Sequence, residues 1–357
     1  MSCRKFVWIN LIGILSLLFA GAFVVFAVDP FYHYHTPWFS LPVVLYNEVY
    51  QTSGVAKNFE YDSVIVGSSM TENFHASWFD EDFGWNTVKL CYEGAGTDDL
   101  KAILGQVFDG GRQVKNIVLA VDDYQMISDS SMTAIKRPEY LYNDDLLDDV
   151  NYLFNRDALK AAFQRIGDGI SGREEEVDNA YNFSGKFEFS TERVLSDARP
   201  FRENIMAYPP EEETAENAYL QACQDNLENL LPFMEEHPET EFIILFSPYS
   251  ILNWEKKVLA GTLKAQLNAD AYVIRCFLSY DNVSVFYFQD EYEMITDLEQ
   301  YMDTCHYKEA YNYYMEQCIK NGKNEVTPED YEERIERMYH IASEYDYEKI
   351  WGEREAK

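Results

Sequence analysis

The stretch SVIVGSSMTENF, residues 63–74, ends a run of β-branched residues on a Gly-Ser-Ser tripeptide. A short apolar run bounded by glycine is typical of a buried strand, and the polar residues after it favour a turn that leads into a helix. Two interpretations follow. Either a serine only caps that helix, or the strand carries Ser69 to the edge of a sheet as a nucleophile.

Short apolar segments alternate with helical patterns along the chain. Strands are predicted at 63–66, 87–91, 116–121, 241–246 and 283–288. Helices are predicted at 69–79, 98–108, 215–236, 254–268 and 307–320. This alternation predicts an α/β fold, a doubly wound parallel sheet flanked by helices.

The alternation stops in a segment rich in Asp, Asn, Tyr and Arg, about 124–213, which we interpret as an insertion. Ligands bind at the carboxyl ends of the strands in such folds, so the insertion either caps a site there or is a peripheral subdomain. The predicted division is a cytoplasmic end and transmembrane anchor at 1–28, a juxtamembrane collar at 29–60, an α/β domain at 61–322, and an acidic helical tail at 323–357.

The segment 6–28 is apolar and uncharged, long enough to cross about 30 Å of hydrocarbon as a helix. It continues past the small residues that would suit signal cleavage, which favours an uncleaved signal anchor. Arg4 and Lys5 precede it and Asp29 follows it, so the positive-inside rule predicts a single-pass cell-membrane protein with a cytoplasmic N-terminus. The remainder is expected on the extracytoplasmic side.

The formal net charge of −33 argues against a nucleic-acid partner, because such a surface repels phosphate. The cysteines after the anchor are odd in number and fit no metal-binding spacing. They are Cys91, Cys223, Cys276, Cys305 and Cys318. Buried free thiols are expected, with a single disulfide as the alternative, and neither a metal nor another cofactor is predicted.

The second chemical signal is YMDTCHYKEAYNYYMEQCIKNG, residues 301–322. Asp303 and His306 are three residues apart, which would place both on one side of a helical turn. A serine hydroxyl becomes a good nucleophile when a histidine oriented by a carboxylate accepts its proton. The sequence therefore predicts Ser69 as nucleophile, His306 as base and Asp303 as the group that orients it.

This pairing resembles the SGNH/GDSL hydrolase superfamily, whose first block is Gly-Asp-Ser and whose last is Asp-x-x-His. Gly67-Ser68-Ser69 aligns the nucleophile with Ser69 and puts Ser68 in place of the aspartate. The Gly-Ser-Ser variant with an N-terminal anchor resembles the branch that includes the D-alanyl-transfer protein of teichoic acid modification and the alginate O-acetylation proteins. DPFYHYHTP and FSPYS also resemble membrane-anchored members from Gram-positive bacteria.

The resemblance implies an oxyanion hole built from the Ser69 and Gly94 N–H groups, although glycines at 94 and 96 also suit a plain turn. The family's third block ends in Gly-x-Asn-Asp, whereas this chain has Ala120-Val121-Asp122-Asp123. An ionised Asp122 would oppose an oxyanion. It is therefore protonated, or it binds acceptor hydroxyls, or two donors suffice.

Several other residues are weaker candidates. Three residues are candidates for substrate contacts: Ser68, Asp122 and Tyr249. The alternatives are that Ser68 only fills the turn and that Tyr249 packs in the core. His33-x-His35 fits an aromatic membrane-interface collar better than a metal site. His75 is expected at the surface. Trp254 is expected in the core, with stacking on a sugar as the alternative.

The resemblance implies a membrane-anchored serine esterase or O-acyltransferase that acts on O-acyl groups of cell-envelope glycopolymers. Its partners would be the acylated glycopolymer or acyl donor and a multispanning membrane O-acyltransferase. Hydrolysis and transfer use the same residues, so the sequence leaves both open. The alternative is a catalytically silent scaffold of the same fold that binds glycan or the acyltransferase.

Overall fold

The computed structural model describes residues 2–207 and 215–352. Met1, the end of the predicted insertion at 208–213 and the end of the predicted tail at 353–357 lie outside the described residues. The first half forms α1 (Cys3–Val28), α2 (Glu48–Asn58), β1 (Ser63–Gly67), α3 (Ala76–Phe83), β2 (Thr87–Cys91), α4 (Thr97–Asp109), β3 (Asn116–Val121), α5 (Asp123–Ile127), α6 (Val150–Leu153), α7 (Arg156–Ser171) and α8 (Thr191–Ala207).

The second half ends the sheet and covers it. It forms α9 (Ala215–Leu227), α10 (Leu231–Glu236), β4 (Glu241–Phe246), α11 (Ile251–Leu259), α12 (Leu263–Phe277), β5 (Val283–Tyr287), α13 (Tyr292–Thr296), α14 (Glu309–Asn321), β6 (Glu325–Val326), α15 (Tyr331–Glu344) and α16 (Tyr347–Gly352). Short 3-10 helices occupy Ser69–Thr71, Glu139–Leu141 and Leu298–Gln300.

The strands of the described chain form one six-stranded sheet in the order β2-β1-β3-β4-β5-β6. Strands β1 to β5 pair in parallel, and only the short β6 is antiparallel. The predicted α/β class and the parallel sheet flanked by helices are therefore confirmed, whereas β6 was not predicted. Because β2 and β3 lie on opposite sides of β1, a crevice is expected at the carboxyl ends of β1 and β3.

The sheet is buried on both faces because alternate strand residues point to opposite sides. Val64, Val66 and Ile117 belong to the apolar core on one face. Ile65 and Val118 belong to the core on the other. Near-continuous apolar strands of this kind explain why the parallel sheet was readable from the sequence.

Three predicted helices are interrupted in the structure. The 69–79 segment has a 3-10 turn and then α3, because Asn73 between them uses its side chain for hydrogen bonds to Tyr307 O (3.2 Å) and Phe183 N (2.9 Å). Pro232 lies in the first turn of α10, a position that suits proline, and so favours a new helix after α9. Gly261, with φ +68°, separates α11 from α12.

Helix α1 has 26 residues and is long and apolar enough to span a membrane. Asp29 ends it in a left-handed conformation, with φ 44°. The buried Asp29 carboxylate accepts hydrogen bonds from the N–H groups of His33, Tyr34 and His35 and from the Tyr152 hydroxyl, at 2.7 to 3.0 Å. The predicted collar is thus a set of turns that this carboxylate organises, followed by α2.

Candidate active site

Ser69 lies just beyond the carboxyl end of β1, in the first turn of a 3-10 helix. The turn requires glycine at position 67, because a Cβ there would lie 2.6 Å from Thr71 Cγ2 and 3.2 Å from Ala120 Cβ. The extended Ser68 caps the turn by accepting a 3.3 Å hydrogen bond from Met70 N–H. The position of the Ser69 side chain is therefore set by the close packing at Gly67 and by the hydrogen bond that Ser68 makes to the turn.

His306 lies on a loop between the 3-10 helix Leu298–Gln300 and α14. The prediction that Asp303 and His306 share a helical turn is wrong. A β-bridge between Tyr301 and Tyr307 closes the loop, and Asp303 Oδ1 accepts hydrogen bonds from the N–H groups of Cys305 (2.7 Å) and His306 (2.8 Å). A side-chain turn, not helical geometry, brings the two residues together.

The loop is fixed to the sheet and to the serine turn. Ser250 donates hydrogen bonds to Thr304 O from its N–H (3.1 Å) and hydroxyl (2.8 Å), which ties the loop to the end of β4. Asn312 Nδ2 donates to Met70 O at 3.0 Å, which ties the start of α14 to the residue after Ser69. Segments far apart in sequence thereby meet at the carboxyl edge of the sheet.

The predicted trio is in hydrogen-bond contact. Ser69 Oγ lies 2.8 Å from His306 Nε2, and His306 Nδ1 lies 2.7 Å from Asp303 Oδ2. With the Nδ1 proton directed at the carboxylate, Nε2 carries the lone pair that the Ser69 hydroxyl needs. The arrangement can remove a proton from Ser69 and return it to a leaving group.

Electrostatics favour the ion pair that proton transfer would create. Burial lowers the pKa of His306, but the hydrogen bond and charge of Asp303 outweigh burial and leave that pKa above its ordinary value. Burial raises the pKa of Asp303, but the hydrogen bond and charge of His306 leave it below its ordinary value. Asp303 is therefore ionised at neutral pH and stabilises an imidazolium.

Ser69 and His306 open into a pocket of about 290 Å³. Its apolar lining comes from Met70, Ile127, Ala134 and Tyr249. Its polar lining includes Gly94, Asn253 and Lys257, and Lys257 Nζ is held 3.0 Å from Asp123 Oδ2. The segment between β3 and β4 supplies Ile127 and Ala134, so the predicted insertion contributes directly to the pocket wall.

The N–H groups of Ser69 and Gly94 both belong to residues that line this pocket. Among the hydrogen bonds of residues 2–207 and 215–352, neither group donates to a protein acceptor. Gly94 has φ +63°, and a Cβ at that position would lie 2.3 Å from Ala134 Cβ. Free N–H groups beside a buried serine are suited to binding an anionic oxygen.

Ser68 and Asp122 do not line the pocket, so the structure does not support them as substrate contacts. Both are fully buried. Asp122 accepts hydrogen bonds from the Ser68 hydroxyl and, at 2.8 Å, from the Tyr249 hydroxyl. Burial raises the pKa of Asp122, and those two hydrogen bonds only partly offset the effect. Tyr249 reaches the pocket, but its hydroxyl is directed at this buried carboxyl.

Sequence reasoning missed Phe183, which packs beside the His306 loop, and a pair of glutamates in a neighbouring pocket. Phe183 lies edge-on against His306, and no motif marks it. Burial first, then the charge of Glu48, raises the pKa of Glu72 to about 9. No sequence motif marks these two glutamates.

The remaining candidates have structural partners. His33 Nε2 lies 3.0 Å from Asp149 Oδ1, and His35 stacks on Trp38. His75 is not a free surface residue as expected, because it is half-buried and its Nδ1 lies 2.7 Å from Asp178 Oδ2. Trp254 is in the core, as expected. Cysteines of the described chain are unpaired, and its described residues form no cluster suited to a metal ion.

No protein-family model and no curated protein matches the sequence. Among solved structures, the fold is similar to one described as "a putative platelet activating factor from Streptococcus pneumonia". The TM-score is 0.39 and the sequence identity 13%, with 77% of this chain and 90% of that chain covered. A likeness this distant carries no information about the reaction.

Proposed function

We propose that this chain is a membrane-anchored serine esterase or O-acyltransferase of the SGNH type that works through an acyl-serine intermediate. The observation that carries the proposal is the 2.8 Å contact between Ser69 Oγ and His306 Nε2, with Asp303 on the far side of the imidazole. It occurs at the carboxyl edge of β1 and opens into a pocket, which is where α/β folds bind ligands.

In the acylation step, Ser69 Oγ attacks the ester carbonyl as His306 Nε2 accepts the hydroxyl proton. The tetrahedral intermediate then collapses: the bond from carbonyl carbon to the alcohol oxygen breaks, and the alcohol leaves with the proton from His306. Asp303 keeps the imidazole in the required tautomer and stabilises its charged form. The product of this half-reaction is an ester between Ser69 and the acyl group.

The free N–H groups of Ser69 and Gly94 would bind the oxygen that becomes negative in this step. One such donor contributes about 3 kcal/mol of transition-state stabilisation. The burial of Asp122 supports this assignment, because its carboxyl is hydrogen-bonded to Ser68 and Tyr249 and does not line the pocket. Two backbone donors then act without the asparagine that the SGNH pattern provides.

Deacylation needs a hydroxyl whose proton His306 removes. Water gives hydrolysis, and a sugar hydroxyl gives transfer with formation of a new ester. We propose an O-acyl group of a cell-envelope glycopolymer as substrate, supported by the Gly-Ser-Ser block and the apolar N-terminal helix. The same resemblance supports a multispanning membrane O-acyltransferase as the partner that supplies acyl groups.

The proposed topology has the N-terminus in the cytoplasm and the sheet outside the cell, as in a Gram-positive envelope. It is supported by Arg4 and Lys5 ahead of α1 and by the length and apolarity of that helix. The acidic remainder of the chain would face the envelope, where the glycopolymers are.

The test is turnover of a soluble p-nitrophenyl ester by the full chain in nanodiscs. Ser69→Ala should lower kcat by about 10³-fold or more, because the hydroxyl that is acylated is gone. Wild type, but not Ser69→Ala, should gain the acyl mass and react with a fluorophosphonate. The matched control is Ser77→Ala, which removes a half-buried serine hydroxyl bonded to Asp178. Equal rates for wild type and Ser69→Ala would refute catalysis and favour the silent scaffold.

Transfer is distinguished from hydrolysis by adding an acceptor. A glycan alcohol that raises p-nitrophenol release and appears acylated in the mass spectrum would identify the acyltransferase. Free acid as the sole product, with no dependence on acceptor, would identify the esterase.

A further inference from the structure

The last turns of α1 are covered by protein, whereas the rest of the helix is bare. Every described α1 residue up to position 20 is exposed, but Ala22, Val25 and Val28 are buried. The Phe19 ring contacts Phe154, which directly follows α6, with centroids 6.2 Å apart. A Cβ at Gly21 would lie 3.7 Å from Leu159 of α7.

Helix length makes this overlap significant. A bilayer core of about 30 Å needs roughly 20 helical residues. Counted from position 6, after Arg4 and Lys5, the bare part of α1 ends at position 20 and spans only about 22 Å at a rise of about 1.5 Å per residue. The remaining ~8 Å must come from the turns that α6 and α7 already cover. If α1 crosses the membrane, those helices reach below its surface.

The outer surface of α7 is apolar where it continues from α1. Leu159, Phe163, Ile166 and Ile170 recur at helical spacing and form one stripe. Leu159 contacts α1, whereas Phe163 is 58% and Ile170 84% exposed. In water, this stripe would be an unpartnered hydrophobic surface directly beside the anchor.

The adjacent face of α7, about 100° around the helix from the stripe, is fixed to the protein. Ala158 and Ala162 are buried, and the Arg165 guanidinium donates a 2.9 Å hydrogen bond to Pro42 O while lying 4.4 Å from the Tyr32 ring centroid. The stripe is therefore presented by a docked helix and is not free to fold inward.

An aromatic turn lies at the same end of α1. Trp38 stacks on His35, with centroids 3.8 Å apart, and lies 6.1 Å from Phe26 of α1. Phe39, next to it, is 77% exposed. Exposed aromatic rings at this level are typical of the boundary between lipid and water.

We infer that the apolar stripe of α7, Phe154 next to α6 and the Trp38–Phe39 turn lie in the outer leaflet beside α1 and contact lipid. The inference rests on the proposed membrane anchor. Lipid is the expected occupant because the surface continues the lipid-facing surface of α1 and because the exposed Arg156 and Lys160 can extend to phosphate groups. The acidic loop around Leu146 and Leu147 is not included, since aspartates resist burial in hydrocarbon.

The test uses the full chain in vesicles of phosphatidylcholine and phosphatidylglycerol, with photoreactive benzoylphenylalanine at single positions. Probes at 163 and 170 should give lipid adducts on irradiation. Position 23 on α1, 68% exposed, is the control for anchoring, and position 313 on α14, 48% exposed, is the control for an apolar surface away from the membrane. Position 313 should give no lipid adduct.

Lipid adducts at 23 but none at 163 and 170, or cross-links there to a second protein chain, would overturn the inference and leave the anchor intact. Absence of adducts at 23 as well would overturn the anchor and the inference together, without bearing on the Ser69 chemistry. As a second arm, Ile170→Glu should reduce the adduct yield at 163 at least fivefold, whereas Tyr313→Glu should not change it. An unchanged yield in Ile170→Glu would contradict lipid contact along the stripe.

Discussion

The Phe183 ring lies edge-on against the imidazole of His306, with the centroids 5.7 Å apart and the planes at 87°. The backbone N–H of the same residue donates a 2.9 Å hydrogen bond to Asn73, four residues after Ser69. A residue from the segment between β3 and β4 therefore contacts both segments that carry the proposed catalytic residues. That segment contributes to the site and is not peripheral.

Phe183→Ala should lower both stability and turnover. Loss of a buried ring costs about 3 kcal/mol of unfolding free energy, and the freed imidazole should lower kcat about tenfold. Urea denaturation and kcat on a soluble ester measure the two effects. Phe187→Ala, which removes a 48% exposed ring, is the control and should change neither strongly. A kcat for Phe183→Ala equal to wild type would show that the ring does not position His306.

The pH dependence of kcat/KM should report His306. Its pKa lies above 6.5, because Asp303 outweighs the opposing effect of burial, so activity should rise as pH increases through that raised value. Asp303→Asn should move this limb to lower pH and reduce the plateau by about 10⁴-fold, because the wrong tautomer is then favoured. If the rise of kcat/KM with pH occurs at the same pH in Asp303→Asn as in wild type, Asp303 does not set the pKa of His306.

The shifted pKa values of His306 and Asp303 should also make the stability of the fold depend on pH. His306, with its raised pKa, stabilises the fold fully below pH 6.5, and this contribution is lost as pH rises through the folded value. Asp303, with its lowered pKa, contributes above 3.8 and loses that contribution as pH falls. Unfolding free energies of wild type and Asp303→Asn should therefore differ most between these limits.

Gly94→Ala should impair the oxyanion site. Position 94 has φ +63° and no room for a Cβ beside Ala134, so alanine must shift the backbone and with it the N–H. We expect kcat to fall about 10²-fold, measured with the soluble ester. Gly105→Ala is the control, because nothing lies within 4 Å of its Cβ and alanine favours helix α4 by about 1 kcal/mol. It should raise stability at unchanged activity, and an equal kcat for Gly94→Ala would contradict the role of this N–H.

Asp122→Ala should be strongly destabilising, whereas Asp122→Asn should be mild. Alanine leaves the buried hydroxyls of Ser68 and Tyr249 without an acceptor, at about 1 to 3 kcal/mol each. Asparagine keeps the shape, accepts from one hydroxyl at Oδ1, and can donate from Nδ2 to the oxygen of the other hydroxyl once that hydroxyl rotates. Urea denaturation compares the two variants, and equal losses would show that hydrogen bonding at position 122 is unimportant.

The titration of Asp122 should also make the free energy of unfolding depend on pH. Because burial raises its pKa above 3.8, its stabilising contribution is full below that value and is lost as pH rises through the folded pKa. Asp122→Asn should remove this part of the pH dependence. If the stability of the variant follows the wild-type pH profile, folding does not raise the pKa of the Asp122 carboxyl.

The sequence was most informative where local chemistry decides structure. Apolar strands such as 116–121 and 241–246 were correctly predicted because they are buried on both faces. The spacing of Asp303 and His306 indicated that they would interact, yet not how. The side-chain turn at Asp303 depends on a loop that β4 and the serine turn hold in place.

What could not be predicted depends on contacts between distant segments. The partners of Asp122 are Ser68 and Tyr249, which lie 54 and 127 residues away. The position of Phe183 against His306 depends on how a long irregular segment packs, for which periodicity gives no signal. The break in the predicted 69–79 helix likewise comes from tertiary bonds of Asn73, which override local propensity.

The Asp29 carboxylate, which joins the end of α1 to the collar and to Tyr152, leaves no flexible stalk between anchor and sheet. With α1 in the bilayer, Ser69 would be held at a single height above it. An enzyme on a long tether samples many heights above the membrane, whereas an enzyme anchored in this way would act at one height. Its substrates would have to be delivered to that height, by their own attachment to the membrane or by a neighbouring membrane protein.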